Sequence, residues 1–268
     1  MFVILTGDHP RHKFLVNSFC KIFKEITWII QKREQIIPEI NKDLSIEFQK
    51  LEKIHFEKRK KAEDEFFINN VDYNIDNSVK EIIKINQEDL FNGKLNIILN
   101  SKKIELFISY GCSKIPNKVL DKISGYKWNV HGGLSPWYRG AITHFWPSYM
   151  LEPEYTGMTL HELTSNIDGG NVIHQSISEL NPDDGIHQNA CRVVRSFSNE
   201  LPTLIHHNFK RNKKINAIKQ ISTGRIWTKK MWSPLNLKLI YHFYDDKINK
   251  YCLENKKIFK PKIETVLA

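Results

Sequence analysis

The sequence predicts an α/β protein: a Rossmann-like, open and mostly parallel sheet, with a helical insertion and a small C-terminal appendage. Three neighbouring stretches carry that reading. The run FVILTG at 2–7 is apolar and short, and Gly7-Asp8 and Pro10 close it, so it reads as a buried strand. From 10 to 23, Phe14, Leu15, Phe19, Ile22 and Phe23 recur at helical spacing, with Pro10 suited to the first turn. ITWII at 26–30 is a second short, β-branched run. Strand, helix, strand at this separation is the βαβ unit of a parallel sheet.

The remaining elements follow in order. Residues 34–75 depart from the rhythm: Leu44, Phe48, Leu51, His55, Ala62 and Phe66 line one side of a charged helix, read as an inserted helix or helical hairpin. VKEIIKI at 79–85 alternates as a strand, and 86–104 reads as helical. ELFISYG at 105–111 is a buried strand that stops at Gly111, with a loop through Pro116. YKWNVH at 126–131 is another short strand. TGMTLHELT and NVIHQSISEL are two more, joined by SNIDGGN, and Pro182 to Gly185 open a helix to about His207. After about residue 210 the character changes, with Trp227, Trp232, Gly224 and Pro234 ahead of a helix-like pattern from Leu235 to Phe243. The chain therefore divides into a main domain, 1–210, and an appendage, 211–268, with no internal repeat or low-complexity linker.

Composition bounds the function. Hydrophobic residues make up 41% of the 268, enough for an ordered core. No apolar run reaches signal-peptide or membrane-spanning length, so a soluble, cytoplasmic protein with no membrane partner is expected. Cys20, Cys112, Cys191 and Cys252 lie far apart without a CxxC or Cys/His pair, which predicts free thiols and no metal site. The formal charge of +10 favours polyanionic partners. Its clusters, at 58–61, 210–214 and 256–262, lack regularly interleaved aromatics, so a nucleic-acid groove is not indicated.

In open α/β sheets ligands bind outside the C-terminal ends of the strands. Four such ends carry chemistry here: 7–12, 110–116, 129–140 and 166–170. Asn129 and His131 are two apart, so on a continuing strand they face the same side. A side-chain amide and an imidazole pointing together offer two donors to a developing oxyanion. A carboxylate beside His131 would orient the ring and raise its pKa. Asp168 is the carboxylate in question, and the set suits acyl transfer to an amine without a Ser or Cys nucleophile. Spacing alone equally fits a plain strand end before a Gly/Pro loop.

The stretch NVHGGLSPWYRG, followed by TGMTLHELTSNIDGGNVIHQ, resembles the formyltransferases that use N10-formyltetrahydrofolate. The shared signature is Asn-x-His, a Pro-x-Tyr-Arg-Gly loop, Thr-Gly-x-Thr and an Asp-Gly segment. ISYGCSKIPNKVL, upstream, is similar to the Tyr-Gly loop of that family's donor pocket. The likeness covers roughly residues 1–200, and three ordered motifs are far more specific than any one. It implies Asn129, His131 and Asp168 as the catalytic trio, with Asn129 and His131 holding the oxyanion while Asp168 and His131 manage protons. Tyr110, Gly111, Cys112, Ile115, Asn166 and Ile167 would line the folate pocket. One departure stands out: many relatives carry Ser-Leu-Leu-Pro after the histidine, where this chain has GGLSP.

The family separates by acceptor. Methionyl-tRNA enzymes carry a sizeable C-terminal β-barrel, for which 211–268 are too few and too helix-like. Glycinamide-ribotide enzymes bear a Gly/Ser-rich phosphate loop after the first strand, where this chain has TGDHPRHKF. The resemblance therefore points to sugar N-formyltransferases acting on nucleotide-linked amino dideoxy sugars for surface glycans such as O-antigen or capsule. A homodimer is expected. A sugar nucleotide needs cations and often an aromatic platform. Arg11 and His12 at the first helix N-terminus, Arg139 in the Pro-x-Tyr-Arg-Gly loop and Trp227 in the appendage are the candidates. The alternatives are a methionyl-tRNA formyltransferase-type enzyme, favoured by the basic charge, and a non-catalytic α/β interaction protein.

Overall fold

A computed structural model of the chain describes all residues except 33–36, 70, 74, 76, 101, 102, 213, 223 and 268. The sheet has seven strands: β1 (Phe2–Thr6), β2 (Ile26–Gln31), β3 (Val79–Ile85), β4 (Leu106–Tyr110), β5 (Tyr126–His131), β7 (Gly157–Glu162) and β8 (Val172–Ile177). They lie in the order β3-β2-β1-β4-β5-β7-β8, and a two-residue strand β6 (Arg139–Gly140) pairs elsewhere with β9 (Ile226–Trp227). The first five strands pair in parallel, whereas β7 and β8 add antiparallel at one edge. Strand order reverses direction beside β1 and β4, which is where such sheets open a ligand crevice.

Alternation along the strands sorts two cores. Ile4, Trp28, Ile108 and Val130 face helices α1 (Pro10–Cys20), α2 (Ile46–Phe67) and α6 (Ile186–Lys210), meeting Phe14, Phe67, Phe197 and Leu201. Val3, Leu5, Ile29 and Phe107 face the other way, onto Leu95 and Leu99 of α3 (Lys94–Asn100) and Val119 and Leu120 of α4 (Asn117–Leu120). Between 86 and 104, where one helix was expected, a 3-10 turn at Glu88–Leu90 precedes the short α3 around Gly93. The segment expected to be an insertion is topologically the crossover from β2 to β3, carried by the single helix α2. Its charged sequence hid that role, because α2 buries only a narrow stripe of Leu51, Glu52, His55, Ala62, Glu63, Phe66 and Phe67. Residues 34–36, 70, 74 and 76 of that segment lie outside the described residues.

Residues 211–268 run back over the main body. Ile218 bridges Val172, and Thr265 bridges His174 at the sheet edge. Trp227, Leu237, Ile240, Ile248 and Cys252 share a third core with Leu51, Tyr138, Phe145, Trp146 and Ile186, α5 (Trp146–Tyr149) supplying one of its walls. Asp246 caps α6, its Oδ1 accepting the N–H of Ile186 at 3.0 Å, and its Oδ2 meets Lys58 of α2 at 2.9 Å. A carboxylate at a helix N-terminus satisfies an orphan donor and the helix dipole together. No helix among the described residues is long and apolar enough to cross a membrane.

Candidate active site

Three adjacent strands bring three polar side chains into line. Ser109 on β4 pairs in register with Asn129 on β5, which pairs with His161 on β7. Ser109 Oγ donates to Asn129 Oδ1 at 2.7 Å, which turns the amide nitrogen the other way. Asn129 Nδ2 then lies 3.2 Å from His161 Nε2 and 3.5 Å from Asp168 Oδ1. His161 Nδ1 is 2.8 Å from the carbonyl of Glu162, which only accepts, so Nδ1 carries a proton and Nε2 faces both Asn129 and Asp168. With its oxygen taken by Ser109, Asn129 presents its amide nitrogen to the site as a donor.

Asp168 reaches the same place from the β7–β8 loop, with φ at +43°, a conformation that Asp tolerates better than most residues. Its Oδ2 accepts the backbone N–H of Gly140 at 2.9 Å and stands 3.4 Å from His131 Nδ1, while Oδ1 stands 3.4 Å from His161 Nε2. Burial pushes this carboxyl up, but the charge His131 carries when protonated, a hydrogen bond from His161 and the Gly140 N–H each favour the ionised form and together hold it well below the ordinary range. Asp168 is therefore ionised at neutral pH. His131 is buried, with Nε2 at 2.8 Å from the carbonyl of Tyr138, so Nε2 is the donor. The expected rise in the His131 pKa does not occur: burial lowers it by more than Asp168 and the Tyr138 carbonyl raise it. The ring is neutral at rest, with Nδ1 toward the carboxylate that would stabilise an added proton.

The GGLSP departure has a steric reason. A Cβ on Gly133 would come within 2.4 Å of the Tyr138 carbonyl and 2.5 Å of His131 Nε2, so a side chain there would sever that contact. The turn is otherwise tied to the antiparallel edge: Thr159 Oγ1 donates to the Gly133 carbonyl at 2.8 Å and accepts from the N–H of Ser135 at 3.0 Å. Gly133→Ala is expected to cost roughly 1–3 kcal/mol of stability through overpacking. It should also lower kcat by displacing His131, as urea denaturation and steady-state rates would show together.

The trio opens onto a cavity of about 570 Å³. Tyr110, Gly111, Cys112, Ile115, Asn166 and Ile167, the residues expected around a folate, all line it. The 110–115 loop is clamped by buried Gln31, whose Oε1 accepts the Ser113 N–H at 2.8 Å and whose Nε2 donates to Ser113 Oγ at 3.1 Å. Gly111 turns with φ at +63°, and a Cβ there would sit 2.2 Å from His12 Nε2. The His12 ring fills that space, edge-on to Tyr110 with centroids 4.6 Å apart.

Of the four acceptor-side candidates, Arg11 and His12 line the cavity, and Arg139 and Trp227 do not. Arg139 is buried and donates through Nε to the Ile167 carbonyl at 3.0 Å, which shapes the Asp168 loop. Trp227 is buried, stacks with Tyr138 and Trp146 at centroid distances of 5.8 and 4.6 Å, and has Arg225 over its ring at 4.0 Å, so it is packed rather than open to a base. Its backbone matters more: the Trp227 carbonyl accepts the N–H of Ala141 at 2.8 Å, holding β6 and so the Gly140 N–H on Asp168. Gln220 Nε2 adds a second tie, donating to the Asp168 carbonyl at 2.9 Å. His161, absent from the expected set, is the addition the structure makes. Its only sequence signal was its place in a strand, because its pairing with Asn129 depends on register across the chain.

Asn129, His131 and Asp168 thus meet at a crevice end around one cavity, with no Ser or Cys nucleophile among the three. Residues 34–205 match the family model described as Formyl transferase, and the chain belongs to that family of formyl-transferring enzymes. Among solved structures it resembles a 4-N formyltransferase from Francisella tularensis, at 17% identity and TM-score 0.54 over 85% of this chain and 76% of that one. It also resembles an N-formyltransferase from Helicobacter canadensis, solved with folinic acid and dTDP-3-aminofucose, at 19% identity and TM-score 0.54 over 87% and 73%. Glycinamide ribonucleotide transformylase 1 from Symbiobacterium toebii gives 12% identity and TM-score 0.52 over 82% and 92%. Likeness at these identities is likeness of fold, shared by enzymes with different acceptors.

Proposed function

We propose that the chain transfers the formyl group of N10-formyltetrahydrofolate to the amine of a nucleotide-linked amino dideoxy sugar, a step toward a formylated surface glycan. The observation that carries this reading is the convergence of Asn129, His131 and Asp168 at one cavity with the whole 110–115 loop. The acceptor assignment rests further on the turn after β1, which runs through His9 and Pro10 rather than a Gly/Ser-rich loop. The neighbour solved with dTDP-3-aminofucose supports it by its ligand.

In this reaction the amine nitrogen attacks the formyl carbon and the carbonyl oxygen becomes an oxyanion. Asn129 Nδ2, turned into the site by Ser109, donates to that charge. Ionised Asp168 takes a proton from the attacking amine and shares it with Nδ1 of His131, 3.4 Å away. The C–N10 bond then breaks, and the proton leaves on N10 of tetrahydrofolate. The new C–N bond forms first and the oxyanion collapses as the C–N10 bond breaks, so no covalent enzyme intermediate is needed.

The test is direct. Purified protein supplied with N10-formyltetrahydrofolate should release tetrahydrofolate and yield a formamido sugar from at least one member of a panel of dTDP-, UDP- and GDP-linked amino sugars. Turnover with methionyl-tRNA and with no sugar nucleotide would overturn the acceptor and leave the formyl transfer.

A further inference from the structure

The far wall of the cavity holds a cluster that the chemistry above does not use. Arg11 of α1, with Arg59 and Glu63 of α2, lines it. The Glu63 side chain is 1% exposed, while those of Arg11 and Arg59 are 24% and 23% exposed. One carboxylate oxygen, Oε1, serves both cations: Arg11 Nη1 at 2.5 Å and Arg59 Nε at 3.5 Å. His9 Nδ1 fixes the other side of both guanidinium planes, 3.4 Å from Arg11 Nη2 and 3.3 Å from Arg59 Nη2.

Both guanidinium groups meet the one carboxylate oxygen in a partly desolvated wall. The two guanidinium groups repel each other as well. A guanidinium carries five N–H donors in a rigid fork. Nε of Arg59 is spent on Glu63 and Nη2 meets His9, but Nη1 has no hydrogen-bond partner among the described residues. A planar fork held at its base and open at its tip suits bidentate oxyanions, phosphates above all.

We propose that Arg59, paired with Arg11 through the buried carboxylate of Glu63, grips the diphosphate of the acceptor. This assignment deepens the sugar-nucleotide reading and rests on it for the identity of the natural ligand. It also gives α2 a functional role. The helix that crosses from β2 to β3 carries the specificity-determining cation, so acceptors lacking a phosphate group bind poorly.

Titration calorimetry on the full chain tests this, with dTDP, UDP, GDP and inorganic pyrophosphate as probes and thymidine and folinic acid as controls. Arg59→Met should raise the Kd of pyrophosphate and of the preferred nucleoside diphosphate by about 10- to 100-fold, the value of one charge-assisted fork. Folinic acid binding should not change. Arg59→Lys, which keeps the charge without the fork, should fall between and guards against a folding defect in the first variant. In turnover, Arg59→Met should raise the acceptor KM while kcat stays within a few-fold. Unchanged Kd for pyrophosphate and every nucleoside diphosphate overturns the assignment, as does failure of the native protein to bind any of them. Should the native protein bind pyrophosphate through Arg59 yet formylate no sugar nucleotide, the phosphate grip stands and the acceptor reading falls.

Discussion

Asp168→Asn should lower kcat by about 10²- to 10⁴-fold, the usual worth of a positioned acid–base group, while the protein stays folded. The substitution is close to isosteric. An Asn carbonyl oxygen can still accept the Gly140 N–H, now made by Oδ2 at 2.9 Å, and its amide can donate to His161 Nε2 in place of the 3.4 Å contact of Oδ1. What is lost is the negative charge that would hold a proton on His131 Nδ1. Donor affinity should remain, because the 110–115 loop is clamped by Gln31 rather than by Asp168. Steady-state rates, a thermal melt and a folinic acid titration on the same preparation check all three statements. Native-like kcat in Asp168→Asn would remove the carboxylate from the mechanism.

Acid should destabilise the fold sharply, beginning near pH 6.5. His55 and His144 are both pushed down to about 3 by burial, helped by Arg59 at His55 and by Arg11 at His144. Burial, then the neighbouring His55, takes His187 well below its ordinary value, and burial lowers His131 as well. The unfolded chain takes up protons at these histidines near 6.5, where the folded chain does not. Their contribution to stability is complete above that pH and is lost as pH falls toward the folded values. Each such proton is worth a little over 1 kcal/mol per pH unit, so His55, His144 and His187 together reach the scale of a typical domain's stability within about two units. Glu52 and Glu154, whose carboxyls burial raises, oppose this weakly from about 4.5 upward. Urea midpoints measured from pH 8 to pH 5 should be flat above 7 and fall steeply below 6.5. A midpoint constant between pH 7 and 5 would mean that the histidines are not buried neutral.

Much of this molecule was legible in its sequence, for local reasons. Val3, Ile4 and Leu5 alternate between two cores because successive strand side chains face opposite ways. Asn129 and His131 share a face for the same reason. Motif order carried the family, and the strand ends carried the crevice. Trp227 was misread because composition records a large aromatic but not what covers it. In the structure it is buried against Tyr138, Trp146 and Arg225. The charged α2 was misread because a crossover helix and an inserted one have the same periodicity.

The sequence by itself determined the parallel α/β core and the strand end on which Asn129 and His131 face the same side. Each is written in residues close together along the chain. Only the tertiary structure decided that His161 stands beside Asn129, that burial keeps His131 neutral and that residues 211–268 brace the Asp168 and Gly140 loops. It alone joined Arg11 to Arg59 through one carboxylate. Strand register, desolvation and charge pairing are sums over groups distant in sequence, and no local pattern encodes them.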